Sequence, residues 1–308
     1  MSTSPTITTA FKQQFHDTFL HALQQKESRF QGRVQDRGMI AGSSFTTNNL
    51  GLVEAREVTG RYQDKTAQDV SHETRIAYMA DYDIGPLVVD GFDLAKLTAD
   101  PTFKYSELLV TAANRRKDKT IYRALLDGSL TRTTEGGTVS STALPAGQII
   151  LAGATGFTKT KILTAVALFR ANEADAMNGE ELYMAYNSTM VRQLLADTTL
   201  TSADFMATQM LQAGQVAQNW CGFTWIPYEQ LDVGAGGGTD RRTVAWCKSG
   251  VQFGTGIDVR TDVDTNKAKR GHPTEVYGWL SLGATRQDEK KVVAIDFGKK
   301  IADGTPAQ

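Results

Sequence analysis

Little in this chain is set aside for chemistry. Only two cysteines occur in 308 residues, Cys221 and Cys247, too few for a disulfide scaffold and in keeping with a reducing compartment. The four histidines, His16, His21, His72 and His272, are scattered, with no HExxH and no paired spacing for zinc. Neither sign of charge dominates: 33 Lys+Arg against 34 Asp+Glu leave a formal net charge of −1, without the basic excess of a dedicated nucleic-acid binder. No run approaches the roughly 18 consecutive apolar residues of a membrane span. The opening MSTSPTITTAFKQQF has neither the basic start nor the apolar centre of a secretory signal. With 41% hydrophobic and 22% charged residues, wholesale disorder is excluded. Folded as one globule, a chain of this length would bury about three-quarters of its unfolded surface, so a core needs neither disulfides nor metals.

Segments that approach known motifs fail on a specific residue. GATGFTKTK lacks the Gly directly before Lys that makes backbone amides and amine converge on one phosphate, because Phe157 and Thr158 separate Gly156 from Lys159. A loop entering a helix is the simpler account. DVDTN, with Asp262, Asp264 and Asn266, opens like a calcium loop. Lys267 then stands where the sharp-turn Gly belongs, and Pro273 where the closing Glu belongs. GAGGGT at 234–239 misses the dinucleotide-turn register, and no GxSxG elbow is present. Cys221 and Cys247 neighbour Trp220 and Trp246 and read as small buried hydrophobes. The expectation is no catalytic, cofactor or metal site.

What is present has the shape of a body with limbs. Phe11, Phe15 and Phe19 recur every four residues, with Leu20, Ala22 and Leu23 widening the stripe, behind a Thr8 or Thr9 cap. This stripe packs on its own domain, docks on a neighbour or lies on a membrane surface. The membrane reading is weakest, because the polar face is not rich in Lys and Arg. QGRVQDRGMIAGS follows, polar and Gly-punctuated, a poor candidate for core. LVEAREVTGRY and ETRIAYMADY read as two strands of a long hairpin about the polar QDKTAQDVSH. Asp100-Pro101 opens a helix that runs without Gly or Pro to Gly128, on the order of 35 Å long. Its apolar residues cluster at the ends (Tyr105, Leu108, Leu109, Ala112; Ile121, Leu125, Leu126), and Arg115-Arg116-Lys117-Asp118-Lys119 makes its centre wet or ion-paired.

A loop or short hairpin, SLTRTTEGGTVSSTALPAGQ, leads to a compact α/β stretch. There Thr158 caps a helix through Ile162, Val166 and Phe169, strand LYMAY follows, and Ser188 caps a helix with Val191, Leu194 and Leu195. Ser202 opens another helix, carrying Phe205, Met206, Met210 and Leu211. Strands GFTWIPY, TVAWC, VQFG and IDVR come next, and VYGWLSLGATR and KKVVAIDF close the chain about the turn QDEK.

DPTFKYSELLVTAANRRKDKTIYRALLDG resembles the spine helix of tailed-phage major capsid proteins of the Hong Kong 97-type fold. TKTKILTAVALFRANEA with LYMAYNSTMVRQLLAD, then QMLQAGQVAQNWCGFTWIP and VYGWLSLGATRQDEKKVVAI, resemble the segments that follow it there, in the same order. The resemblance runs from about Gly51 to the end. It implies an α+β fold with an N-terminal arm at 1–49 and an extended loop hairpin at 50–90. A peripheral domain would take 91–157 and 260–308, with its spine helix at about 101–127, and an axial domain 158–259. It further implies self-assembly as pentamers and hexamers into an icosahedral shell around double-stranded DNA, held by weak non-specific contact. Scaffold, portal and decoration proteins would be the other partners, with assembly in the host bacterial cytoplasm and no membrane. Expected inter-subunit contacts are Phe11, Phe15, Phe19 and Leu23 of the arm, Arg61 and Lys65 of the loop, Arg115 and Arg116 of the helix, and Arg241 and Arg242. An encapsulin-like compartment shell and a soluble α/β enzyme are the competing readings.

Overall fold

The computed structural model describes residues 25–57, 60–61, 67–90, 102–153, 155–196, 216, 218–234 and 240–298. The Phe stripe of the arm, Lys65, the helix expected from Ser202 and the glycines of GAGGGT from Ala235 onward lie outside them.

Among the described residues there are three sheets and three α-helices. A four-stranded sheet has the order β1 (Gln35–Met39), β12 (Val251–Thr265), β13 (Thr274–Arg286), β4 (Ala80–Val89), with β1 parallel to β12. A second, wholly antiparallel sheet has the order β2 (Ser44–Leu50), β3 (His72–Tyr78), β5 (Ser129–Arg132), β6 (Ser140–Thr142). The third has six strands in the order β7 (Ile149–Ile150), β14 (Val292–Phe297), β11 (Arg241–Cys247), β8 (Leu182–Tyr186), β10 (Phe223–Pro227), β9 (Asn219–Trp220). Helix α1 spans Thr102–Leu126, α2 Lys159–Ala171 and α3 Ser188–Ala196. The expected spine helix, the 129–142 hairpin and, among the described residues, the helix–strand–helix of the α/β stretch are therefore present.

Four local expectations are corrected. The first strand of the long hairpin is SFTTNNL, not LVEAREVTGRY: Phe45 and Thr47 face inward in register with β3, whereas residues 52–57, with Glu54, Arg56 and Glu57, are exposed and carry no strand. VQFG and IDVR are one strand of 15 residues. Thr158 sits at the N-cap of α2 without a side-chain cap bond. In α3 the cap is Asn187, whose Oδ1 accepts from Met190 N at 3.0 Å.

The chain divides into two compact units. One comprises Tyr82–Arg115 and Val259–Leu280 together with Met1–Glu27. Its buried residues include Val89, Leu109, Ala113, Val276 and Leu280. Gly85 is required there: its φ is +103°, and a Cβ would stand 3.1 Å from Val276 O and 3.2 Å from Leu87 N.

The other unit comprises Ser28–Asp81, Arg116–Asp258 and Ser281–Gln308 and holds the main core. All six residues of β14 are buried, as the near-continuous apolar run VVAI requires of a strand covered on both faces, and α2 packs against it. Trp246 of β11, wholly buried, stacks on Tyr183 at 5.9 Å. Close backbone approach fixes Gly283, where a Cβ would meet Met79 Sδ at 2.7 Å.

Candidate assembly site

A structural protein works through what it holds rigid and what it leaves uncovered. The centre of α1 is where the sequence places most charge; Lys119 is exposed there, and Lys117 and Asp118 are buried and paired. Lys117, buried, pairs with Asp258 at 2.9 Å. Asp118 is 0% exposed, a position a carboxylate holds only when donors replace its water. Those donors come from one short stretch: Ser28 Oγ donates to Oδ1 at 2.6 Å, Arg29 N to both oxygens at 3.0 Å, and Phe30 N to Oδ1 at 3.1 Å.

The stretch is seated from its other side as well. The Phe30 ring lies 4.8 Å from that of Tyr228 and edge-on to Trp246 at 5.3 Å, and the Trp246 indole donates back to Arg33 O at 3.0 Å. Arg29 donates to Pro227 O, and Val34 is buried. Within the segment read as a poor core candidate Val34 is thus a core residue, and Phe30 just ahead of that segment is another. One turn after Asp118, Tyr122 donates to Arg242 O at 2.7 Å and accepts from Asp232 N at 3.0 Å, its hydroxyl pKa raised by burial.

A second polar knot secures the root of the β2–β3 hairpin. Arg75 of β3 forms two bonds to Glu289 at 2.8 and 2.7 Å, a third to Glu73 at 3.0 Å, and further ones to Ser129 and Thr131. Arg286 donates to Leu125 O at 2.9 Å and Asp127 O at 3.0 Å, covering the last carbonyls of α1, and also to Thr142 O and Glu289. One carboxylate therefore stands between two buried guanidinium groups. Sequence reading missed Asp118, Arg75 and Arg286. The only signal was a lone acid inside a basic run, since most of their partners are remote in sequence, Glu73 for Arg75 and Glu289 for Arg286 excepted.

Several other ionisable groups are also occupied within the fold. Lys161 Nζ is buried among Ala152 O (2.8 Å), Asp296 O (3.0 Å) and Thr155 O (3.3 Å), and desolvation lowers its pKa to about 8. The Asp296 side chain is held by Arg242 at 2.7 and 2.8 Å. A cleft of about 860 Å³ is walled by amides such as Asn48, Asn49, Gln252 and Gln287, and its Lys291 pairs with Glu180 at 2.7 Å. Burial pushes the Cys247 thiol up to about 12 and raises that of Cys221, so both are poor nucleophiles. Among the described residues, no group of three or more His, Cys, Asp or Glu could hold a metal ion, and no helix is long and apolar enough to cross a membrane.

Of the residues expected at subunit contacts, Phe11, Phe15, Phe19, Leu23 and Lys65 lie outside the described residues. Arg61 is exposed in a turn, Arg115, Arg116 and Arg241 are half-buried, and Arg242 is engaged by Asp296. Large apolar side chains are exposed at the tip of the β2–β3 hairpin: Leu50 at 70%, Leu52 at 87% and Val53 at 57%.

A family model described as phage capsid protein matches residues 7–298. No curated protein sequence matches the chain. Among solved structures, the capsid of cyanophage P-SCSP1u aligns with a TM-score of 0.64 and 18% identity, covering 94% of this chain and 93% of that one. A chain of Mycobacterium phage Che8 aligns with a TM-score of 0.67 and 12% identity over 93% and 97%. The acid-stable capsid of Helicobacter pylori bacteriophage KHP30 gives 0.68 and 10% over 97% and 98%. At such identities the structures speak for the fold, and the fold is that of Hong Kong 97-type capsids. A family match over nearly the whole length, a spine helix of 25 residues and a body whose charges are spent on its own rigidity lead to one identification: the chain belongs to the phage capsid protein family and is a capsid shell protein.

Proposed function

We propose that the chain is the repeating subunit of an icosahedral shell, assembling as pentamers and hexamers around packaged double-stranded DNA and having no catalytic role. The observation that carries this reading is the uncovered apolar tip of the hairpin, Leu50, Leu52 and Val53, which has no use in a lone globule. Copies of the chain would cover it, together with the arm stripe Phe11, Phe15, Phe19 and Leu23. Arg61, Lys65, Arg115, Arg116, Arg241 and Arg242 would lie near subunit boundaries, and Arg242 would act there through Asp296. The arm would take 1–49, the extended loop 50–90, the peripheral domain 91–157 with 260–308, and the axial domain 158–259. A net charge of −1 suits a wall that holds DNA without gripping it, since each neutralised phosphate would add salt-dependent affinity that opposes packing and ejection. Scaffold, portal and decoration proteins are the further partners in this scheme, and the host bacterial cytoplasm is the place of assembly. Velocity sedimentation and negative-stain microscopy of the expressed chain, with scaffold where required, test it. Shells, capsomers or tubes are expected; a single small species under every assembly condition would overturn it.

A further inference from the structure

We propose that Asp118 is the positioning residue of the arm: its carboxylate fixes the arm's root at Ser28–Val34, and shell assembly depends on that fixed root. The proposal rests on the reading that residues ahead of Ser28 contact a neighbouring copy. A carboxylate in the middle of a helix has no use for the helix itself, whose N–H groups are already committed to carbonyls one turn back. Buried at this point, it is stable only with several donors. All the donors described come from three consecutive residues about ninety positions earlier: one hydroxyl and two successive backbone N–H groups converging on an anion. The composition of that stretch, SRFQGRV, gives it little reason to stay ordered alone. Its order comes from the Asp118 contacts on one side and from the Phe30, Tyr228 and Trp246 rings on the other.

Removing the carboxylate leaves the Arg29 and Phe30 N–H groups buried without an acceptor, so the stretch must open to water. The ordering entropy of the root is then no longer met inside the subunit and falls on the association step instead. Asparagine at 118 differs in an informative way. Its one carbonyl oxygen can replace Oδ1, which accepts from Ser28, Arg29 and Phe30, and gives up only the second Arg29 contact to Oδ2.

The test compares the unassembled full-length wild type, Asp118→Ala and Asp118→Asn. In the wild type the Arg29 and Phe30 amides should exchange at least about 100-fold more slowly than in an unstructured peptide. In Asp118→Ala they should approach the unstructured rate, and tryptic cuts after Arg29 and Arg33 should quicken about tenfold or more. Shell yield should drop by a similar factor, with the melting transition of the remaining fold retained. Asp118→Asn should recover most of the protection and of the yield. Unprotected Arg29 and Phe30 amides in the wild type would overturn the proposal, and this measurement decides even if Asp118→Ala fails to fold. Wild-type shell yield from an Asp118→Ala chain with exposed amides would overturn it too. A parallel Phe15→Asp variant separates the two ideas: if it blocks assembly while Asp118→Ala does not, the anchor is wrong and the arm reading stands. Normal shells from Phe15→Asp would remove the arm reading itself.

Discussion

Replacing Glu289 by alanine would strand two guanidinium groups in the interior. Arg75 is 2% exposed and Arg286 0%, while Glu289 is 13% exposed and is the acid they share. Without it Arg75 keeps only Glu73, itself one-third exposed, with Ser129 and Thr131; Arg286 keeps three backbone carbonyls and only the weaker influence of the Asp127 charge. Removing one partner of a buried ion pair typically destabilises by about 3–5 kcal/mol, because the remaining charge is left uncompensated. For a chain of this size that corresponds to a drop in Tm of roughly 10 °C. Glu289→Gln, which keeps shape and one acceptor, should fall between alanine and wild type. The reference is Lys248→Ala, which breaks the Lys248–Glu181 pair, 46% and 59% exposed, and should change stability by less than about 1 kcal/mol. Calorimetry and urea unfolding of unassembled protein measure all three. If Glu289→Ala lies within about 1 kcal/mol of wild type, the hub does not hold the hairpin root to the body, and the reasoning fails.

The pKa of Lys161, about 8, lies below its ordinary 10.5. Between those values the unfolded chain binds a proton that the folded chain does not, so this group makes stability rise with pH across that window. Relative to Lys161→Met, wild-type stability should therefore climb by about 3 kcal/mol between pH 8 and 10.5, read by urea unfolding at several pH values; a flat difference refutes it. Phe15→Asp or Phe19→Asp should leave the melting transition in place while suppressing sedimenting shells. Loss of cooperative melting in the monomer would instead assign the stripe to the subunit's own core. Asn187→Ala should cost about 1 kcal/mol through the lost cap of α3, and Ser188→Ala less, as judged by thermal melts.

The elements legible in the sequence were those built from local regularity. The spine helix announced itself through 25 residues without Gly or Pro, and β8 and β14 through short apolar runs bounded by polar residues. The first hairpin strand was hidden because SFTTNNL is mostly polar and gains its strand character from pairing with β3 residue by residue. Phe30 and Val34 were hidden for a related reason: two apolar residues in a polar, Gly-bearing stretch form no period, and Phe30 packs on Tyr228 and Trp246, some two hundred positions away. Buried charges are the hardest case. Asp118 and Arg286 carry the same letters as solvated residues, and only the folded neighbourhood shows that their charge is satisfied inside.

The margins of the large sheet carry one more consequence. Its two outermost strands, β7 and β9, are two residues long, and the antiparallel sheet ends on one side in the three-residue β6. An open row of N–H and C=O groups accepts any strand that arrives, and copies joined that way stack edge to edge into fibres. Rows of two or three residues offer little to pair with, so at these three margins contact between copies must come from side chains rather than from indiscriminate strand addition.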